Sequence, residues 1–266
     1  MNVLALYLEG FAAAAVLGLL TWAVSLKLRN VSIVDSLWSL MFLLQAWIYA
    51  AGGAGSAPAG PRTWLVLSLV TVWALRLSGY ITWRNWGHGE DRRYQAIRAR
   101  NEPGFAFKSL YLVFLLQAVL AWIIALPLLG ALRPAAGAGE PAALGVLDLA
   151  GAALWLLGFL FEAGGDWQLA RFKARPENHG QVMDRGFWRL TRHPNYFGEF
   201  CTWWGFYLIA LAAGAWWSLP GPLLISALLL RVSGVTLLEK DIGERRPQYA
   251  EYVRRTNAFF PGPPRP

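Results

Sequence analysis

The chain has 266 residues, 56% of them hydrophobic and only 15% charged, with 15 Trp and a net charge of +8. Soluble domains carry about 25% charged residues, and here the apolar residues come in long blocks, which excludes a soluble globular protein and implies an integral membrane one. Nucleic acid is excluded as the meaning of the positive charge, because the basic residues sit in particular loops between the apolar blocks.

A helix that crosses a bilayer needs about 20 residues. In chain order the sequence predicts spans at 4–26, 33–50, 62–83, 108–130 and 142–162. The first is read as a span and not a signal peptide, since it lacks a basic leading segment and Glu9 interrupts it. The block 197–232 is long enough for a sixth and a seventh span. Its expected break lies near Gly214 or at Pro220-Gly221-Pro222, where proline removes a donor and bends the chain. The expected fold is all-α: a polytopic membrane protein with seven transmembrane helices in one integral domain over 1–266. Helices one to four fall within 4–130, and a C-terminal region covers 142–266.

Charge asymmetry orients this fold. Lys27 and Arg29 follow the first span, six basic residues from Arg84 to Lys108 follow the third, and six from Arg171 to Arg192 follow the fifth. The tail adds Arg231, Lys240, Arg245, Arg246, Arg254, Arg255 and Arg265, whereas the opposite loops hold only Arg62 and Arg133. Positive loops stay inside, so the N-terminus is expected outside and the C-terminus in the cytoplasm. The outer loops AGGAGSAPAG and RPAAGAGEP read as connectors. No internal repeat is evident, which disfavours a transporter built from inverted halves.

Ionisable groups at membrane depth point to function. Arg76, Tyr80 and Arg84 are spaced i, i+4, i+8 and share one helix face, suited to a phosphate or to a structural Arg–acid pair. Asn30 and Asp35 flank the start of span two; Asp35 is a helix cap, a partner for Arg76, or a contact to a ribose or amide. Gln45 and Gln117 are candidates for hydrogen bonds between helices. Glu162 and Asp166 lie one turn apart at the end of span five, followed by Lys173 and Arg175 in a loop over 163–196. A surface-lying helix explains that segment, and so does a dinucleotide pocket in which acids accept from ribose or amide and bases hold phosphate. In TRHPNYFGE, Pro194 opens a helix and Asn195 and Glu199 share its face. Arg192 and His193 precede it, where free N–H groups favour an anion; the bland alternative is a capped helix start. The single Cys201 excludes an internal disulfide, and His88, His179 and His193 lack metal-ligand spacing, so no metal is expected.

Three segments, WALRLSGYITWRNWGHGEDRRY, GFWRLTRHPNYFGEFCTWWG and EKDIGERRPQYAEYVRRTNAFFP, resemble the membrane reductases that include steroid 5α-reductases and sterol C14 and Δ7 reductases. The nearest likeness is to the bacterial DUF1295 group, described as steroid 5α-reductase-like, with isoprenylcysteine carboxyl methyltransferases more distant. The resemblance implies seven helices around NADPH and hydride transfer to a carbon–carbon double bond conjugated to a ketone. The substrate would be steroid-like or otherwise lipophilic, drawn from the bilayer lipid. By resemblance Arg76, Tyr80, Arg84, Glu162, Asp166, Asn195, Glu199, Tyr249 and Tyr252 match family positions, with Lys173 where the family often has Arg. Asn30, Arg175, Arg192 and His193 join them as cofactor candidates, and Asp35 and Tyr80 are the candidates for polarising the carbonyl or relaying a proton. The chain departs from the animal enzymes at Trp73, where they place a Tyr, and in lacking a Glu in span two and a His in the tail. The match is thus fuller for the cofactor than for the substrate. No GxGxxG follows a strand, so a soluble Rossmann site is not expected. The rival readings are methyl transfer from S-adenosylmethionine to a lipid or prenylated acceptor, and a non-enzymatic scaffold or transporter.

Overall fold

Leucine and valine recur all round the first apolar block, so a hydrophobic stripe cannot decide which face packs. The small residues decide it. In the computed structural model, which describes residues 2–54, 59–133, 143–232 and 248–265, helix α1 (Val3–Leu28) buries Leu6, Gly10, Ala14, Gly18, Thr21 and Ser25. Its Leu4, Leu8, Val16, Leu19, Leu20 and Val24 are exposed. Small residues inward and large apolar residues outward is the arrangement expected where lipid is the solvent. Neighbours approach the small face closely: a Cβ on Gly10 would lie 2.5 Å from the Tyr49 ring.

The described chain is all-α and divides into two compact units, Met1–Gly145 with Ala210–Ser218, and Val146–Ile209 with Leu219–Pro266. In the first unit, α1 starts on Asn2, whose side chain accepts from the Leu4 N–H at 3.0 Å. It is followed by α2 (Ile33–Ala54), α3 (Pro61–Asn85) and the short α4 (Arg92–Asn101). An apolar helix over Phe105–Ile124 consists of α5 (Phe105–Ser109), a π-helical turn (Leu110–Leu115) and α6 (Leu116–Ile124), and α7 (Leu126–Leu132) follows. Helix α2 packs against α1, α3, α6 and α7. Its Met41, Phe42 and Tyr49 are fully buried, as is Trp73 of α3.

In the second unit, α8 (Val146–Lys173) is followed by α9 (Phe187–Leu190), α10 (from Pro194, ending at Ala212), α11 (Pro220–Ala227) and α12 (Tyr249–Arg255). Helices α8 and α10 run antiparallel and touch through glycine. Gly151 faces Gly205, and Gly158 faces Gly198, each pair meeting at a backbone carbonyl; Gly165 meets Pro194. The three α8 glycines are seven residues apart and so repeat every second turn on one face.

Five helices are long and apolar enough to cross a membrane among the described residues: α1, α2 over Ile33–Gly52, α3, Phe105–Ile124 and α8. These are the first five expected spans, as a multi-pass membrane protein requires. Three boundaries differ from expectation. The fifth span continues eleven residues past 162, to Lys173, because nothing breaks the helix before Pro176; Asp166–Lys173 is thus helix and not loop. The fourth breaks at Ala125, just before α7, whose first turn carries Pro127 without an N–H to donate. In the last block both expected breaks are used: α10 ends at Ala212, Gly214 turns the chain at φ 72°, and α11 opens at Pro220. The parts of the two connectors at 55–58 and 134–141, and Lys240, Arg245 and Arg246, lie outside the described residues.

Candidate functional site

Each unit carries a polar assembly of its own. In the first unit it is built on the α1–α2 turn, the loop after α3, and α4. Asn30 Oδ1 accepts from the Ser32 N–H at 2.9 Å and from the Ser32 hydroxyl. Ser32 Oγ in turn accepts from the Asp91 N–H at 3.2 Å. Asp91 caps α4, accepting from the Arg93 N–H at 2.9 Å and Nε at 3.0 Å. Glu90 takes the Val31 N–H at 2.9 Å, and a two-pronged contact from Arg98, Nε at 2.9 Å and Nη2 at 2.8 Å. Asp35 accepts from Arg93 Nη2 at 2.9 Å and from the Tyr94 hydroxyl at 2.6 Å.

The electrostatics follow from these partners. Burial opposes the ionised form of Glu90, but the Arg98 bonds and the Val31 N–H outweigh it and hold the carboxyl below its usual range. Burial likewise acts against Asp91, and the bonds and charge of Arg93 overcome it, so this carboxyl is also lowered. For Tyr94, burial and then the Asp35 carboxylate push the phenol well above its usual value, so it keeps its proton at neutral pH.

Asp35 therefore pairs with Arg93 and Tyr94 and not with Arg76, the ion-pair partner among its three expected roles. Asn30 acts as a turn-former. Arg76, Tyr80 and Arg84 lie on successive turns of the continuous α3. Arg76 and Tyr80 are half-buried, and Arg84 is exposed with its guanidinium 5.7 Å over the Tyr80 ring. Gln45 donates to Met41 O of its own helix at 3.1 Å and accepts from Tyr49 at 3.2 Å. The expected bond from Gln45 to another helix is thus an intrahelical one. Glu90, Asp91, Arg93, Tyr94 and Arg98 carry this assembly beyond the residues that the sequence points to. Asp91 ahead of RRYQAIRARN is a legible N-cap; the pairings with residues 31–35 have no local signal.

In the second unit, Glu162 and Asp166 on α8 are 3% and 6% exposed, so two acids one turn apart are both buried. Lys173 and Arg175 are exposed at the end of α8 and just beyond it. Asn195 and Glu199 are half-buried on successive turns of α10. His193 is buried and stacks on Tyr196 with ring centroids 5.6 Å apart. Arg192 holds the tail: its N–H donates to Asn257 O at 2.9 Å and its Nη1 to Thr256 O at 2.7 Å and Val253 O at 3.3 Å. Tyr249 and Tyr252 are buried with rings 5.6 Å apart, and the Tyr252 hydroxyl donates to Trp188 O. Thr191 Oγ1 donates to Phe259 O at 2.8 Å, and Phe197 and Phe200 pack edge-on against Phe259 and Phe260. The tail thus closes over the start of α10 and joins the RHPN and NAFFP segments.

Replacing Arg192 with Ala is expected to leave the carbonyls of Val253 and Thr256 without this donor, at a cost of about 2 kcal/mol. Thermal unfolding in detergent, with proteolysis mapping release of the tail, measures this; an unchanged melting temperature would refute the clasp.

An uncharacterized protein of Schizosaccharomyces pombe is 27% identical over 289 residues, an alignment that covers 96% of this chain and 79% of the relative. No solved structure matches the chain. The model of the family described as a protein of unknown function, DUF1295, matches residues 21–256, and the chain belongs to that family.

Proposed function

We propose that the protein is an NADPH-dependent membrane reductase acting on a carbon–carbon double bond conjugated to a ketone in a lipophilic, steroid-like substrate that enters from the bilayer. The observation that carries the reading is the pair of acids Glu162 and Asp166, 3% and 6% exposed on one face of a membrane-length helix. Carboxylates buried at this cost are functional candidates, and they suit the hydroxyl and amide donors of a dinucleotide. The reading is supported by the resemblance to the steroid 5α-reductases and by family membership over most of the chain. It places the chain in a bacterial inner membrane, with seven spans, the N-terminus outside and the C-terminus in the cytoplasm.

The bound cofactor would supply a hydride to the β-carbon, and a proton then completes the α-carbon. The chain's part is to bind, orient and exclude water. Glu162 and Asp166 would accept from ribose or amide groups, with Asn195 and Glu199 contributing from α10. Lys173 and Arg175, both exposed, have side chains able to reach phosphate. Arg76 and Arg84 are assigned to phosphate as well, and His193 and Tyr249 to flanking contacts. Arg192 and Tyr252, which also bond to backbone carbonyls, are assigned beside them. On the substrate side, Tyr80 is assigned to polarise the carbonyl oxygen, where a donor would stabilise the developing enolate. Asp35 would act through Tyr94, the hydroxyl it holds at 2.6 Å.

Titration of the purified protein with NADPH, NADH and S-adenosylmethionine tests the reading. NADPH is expected to bind, and Glu199→Ala and Arg84→Ala are expected to weaken it by about tenfold each with the fold intact. Binding of S-adenosylmethionine without either nicotinamide would favour methyl transfer to a lipid or prenylated acceptor. Binding of none would favour a scaffold or transporter. NADPH oxidation with a panel of enones then defines the substrate class.

A further inference from the structure

Within the first unit a cavity of about 270 Å³ opens where α1 ends, lined by Ser25, Leu26, Arg29, Val31, Arg98, Phe105, Ala106 and Ser109. Two cations and several apolar groups line it. Arg98 sits 4.6 Å over the Phe105 ring and binds Glu90 through Nε and Nη2, leaving Nη1 outside that pair. The Arg29 side chain makes no hydrogen bond or ion pair with another described residue.

Arg29 is also the one described residue other than glycine with positive φ, 50°. It occupies the left-handed cap of α1, its N–H bonded to Ser25 O. Glycine is the usual occupant of such a cap because a Cβ is strained there. A cation near a helix C-terminus is favourable, but Lys27 in the last turn already supplies one. A left-handed backbone that sets a cationic residue on the wall of a cavity is a feature found at ligand sites. The wall contributed by Phe105 and Ala106 is the start of the Phe105–Ile124 helix, whose first N–H is held by the Glu102 carboxylate at 3.4 Å.

Around the cavity the surface is apolar. Leu26, Leu28 and Phe107 are exposed, and Trp22, bonded through Nε1 to Ala106 O at 2.9 Å, lies beside Phe107. A free phosphate has no use for this rim, whereas an acyl chain does. We propose that the cavity binds the phosphate of an anionic phospholipid, with Arg29 and Arg98 Nη1 on the headgroup and Leu26, Leu28 and Phe107 along an acyl chain.

The test uses the full chain in detergent, titrated with short-chain phosphatidylglycerol, short-chain phosphatidylcholine and inorganic phosphate, with Trp fluorescence and thermal shift as readouts. Phosphatidylglycerol is expected to bind at least about tenfold more tightly than either other probe. Arg29→Gly is the decisive variant, because glycine accepts the left-handed cap: it is expected to unfold no earlier than the parent and to lose about tenfold in phosphatidylglycerol affinity. Arg29→Lys should recover most of that loss. Parental phosphatidylglycerol affinity in Arg29→Gly, or equal binding of phosphatidylcholine, would overturn the proposal. Inorganic phosphate binding as tightly as the lipid would overturn the lipid assignment. If Arg29→Gly unfolds early, Arg29→Gln at unchanged backbone decides by the same affinity loss.

Discussion

Gly158→Leu is expected to leave no folded second unit. Even one methyl group at this position has nowhere to go: a Cβ would sit 2.7 Å from Thr202 N and 2.8 Å from Thr202 Oγ1, with Gly198 O closer still. These are mostly backbone atoms of the opposing helix, so no side-chain rotation relieves the clash and the helices must part. The opposing glycine is equally confined, its Cβ meeting Glu162 N and Gly158 O at 2.5 Å. Parting α8 from α10 would also disturb Gly151 against Gly205, where a Cβ meets a carbonyl at 2.6 Å in either direction. Without a hydrophobic drive between helices in lipid, close backbone packing is the main source of helix association. Gly158→Ala is therefore expected to cost about 3 kcal/mol, and Gly158→Leu to abolish a monodisperse, cooperatively unfolding species. Gly79→Ala is the control. Gly79 lies mid-helix in α3 with nothing within 4 Å of its Cβ position, so alanine should raise stability by about 1 kcal/mol through helix propensity. Thermal unfolding of the two alanine variants side by side decides: the same chemical change must move the melting temperature in opposite directions. A Gly158→Ala protein as stable as the parent would refute the close contact.

How far the sequence reaches is clear at these positions. The apolar blocks of α1, α2 and α3 are legible because a bilayer-length run of hydrophobic residues has few other uses. The extension of α8 to Lys173 was obscured by charge: Asp166, Arg171 and Lys173 look like a loop to a hydropathy argument. Helix formation, however, needs only good formers and no breaker, which Trp167 to Lys173 satisfy. Arg171 then lies 4.9 Å over the Trp167 ring on the exposed face, as a cation at a membrane surface does. The glycine spacing at 151, 158 and 165 carries the signal of a packing face, but it is diluted among 27 glycines. The α4 assembly was not readable in the same way, since Asp35 and Tyr94 are 59 residues apart and nothing in either segment names the other. The motif segment RLTRHPNYFGE reads as one unit in the sequence, but its geometry separates two parts. Arg192 faces the tail's carbonyls, while Asn195 and Glu199 lie on the turns of α10 that follow.

Glu90→Ala is expected to loosen the α1–α2 turn and α4 together, at a cost of about 2–3 kcal/mol. Glu90 is 8% exposed and joins three otherwise separate pieces: the Val31 N–H, the Arg98 guanidinium and its own loop. Removing it leaves a half-buried Arg98 without its two-pronged acceptor, and an N–H at Val31 without a partner. Arg98 is 32% exposed, so water recovers part of that loss, which keeps the expected cost below that of a fully buried pair. The same network predicts a pH response with a definite sign. Glu90 and Asp91 both have folded-state values below their usual ones. Their contribution is therefore fully present above the ordinary carboxylate range, about 4, and is lost as pH falls through the lowered folded values. The melting temperature of the parent should fall steeply below about pH 4, and the fall should be shallower in Glu90→Ala, where only Asp91 of the two remains to be protonated. Glu90→Gln separates charge from shape: it keeps an acceptor for Arg98 and for Val31 but loses the ion pair, so its stability should lie between parent and alanine variant with the alanine variant's shallow acid slope. Amide exchange at residues 31–35 and 92–98 should quicken in Glu90→Ala while exchange in α8 stays unchanged. Equal acid slopes in parent and Glu90→Ala would show that Glu90 does not hold this turn through its charge.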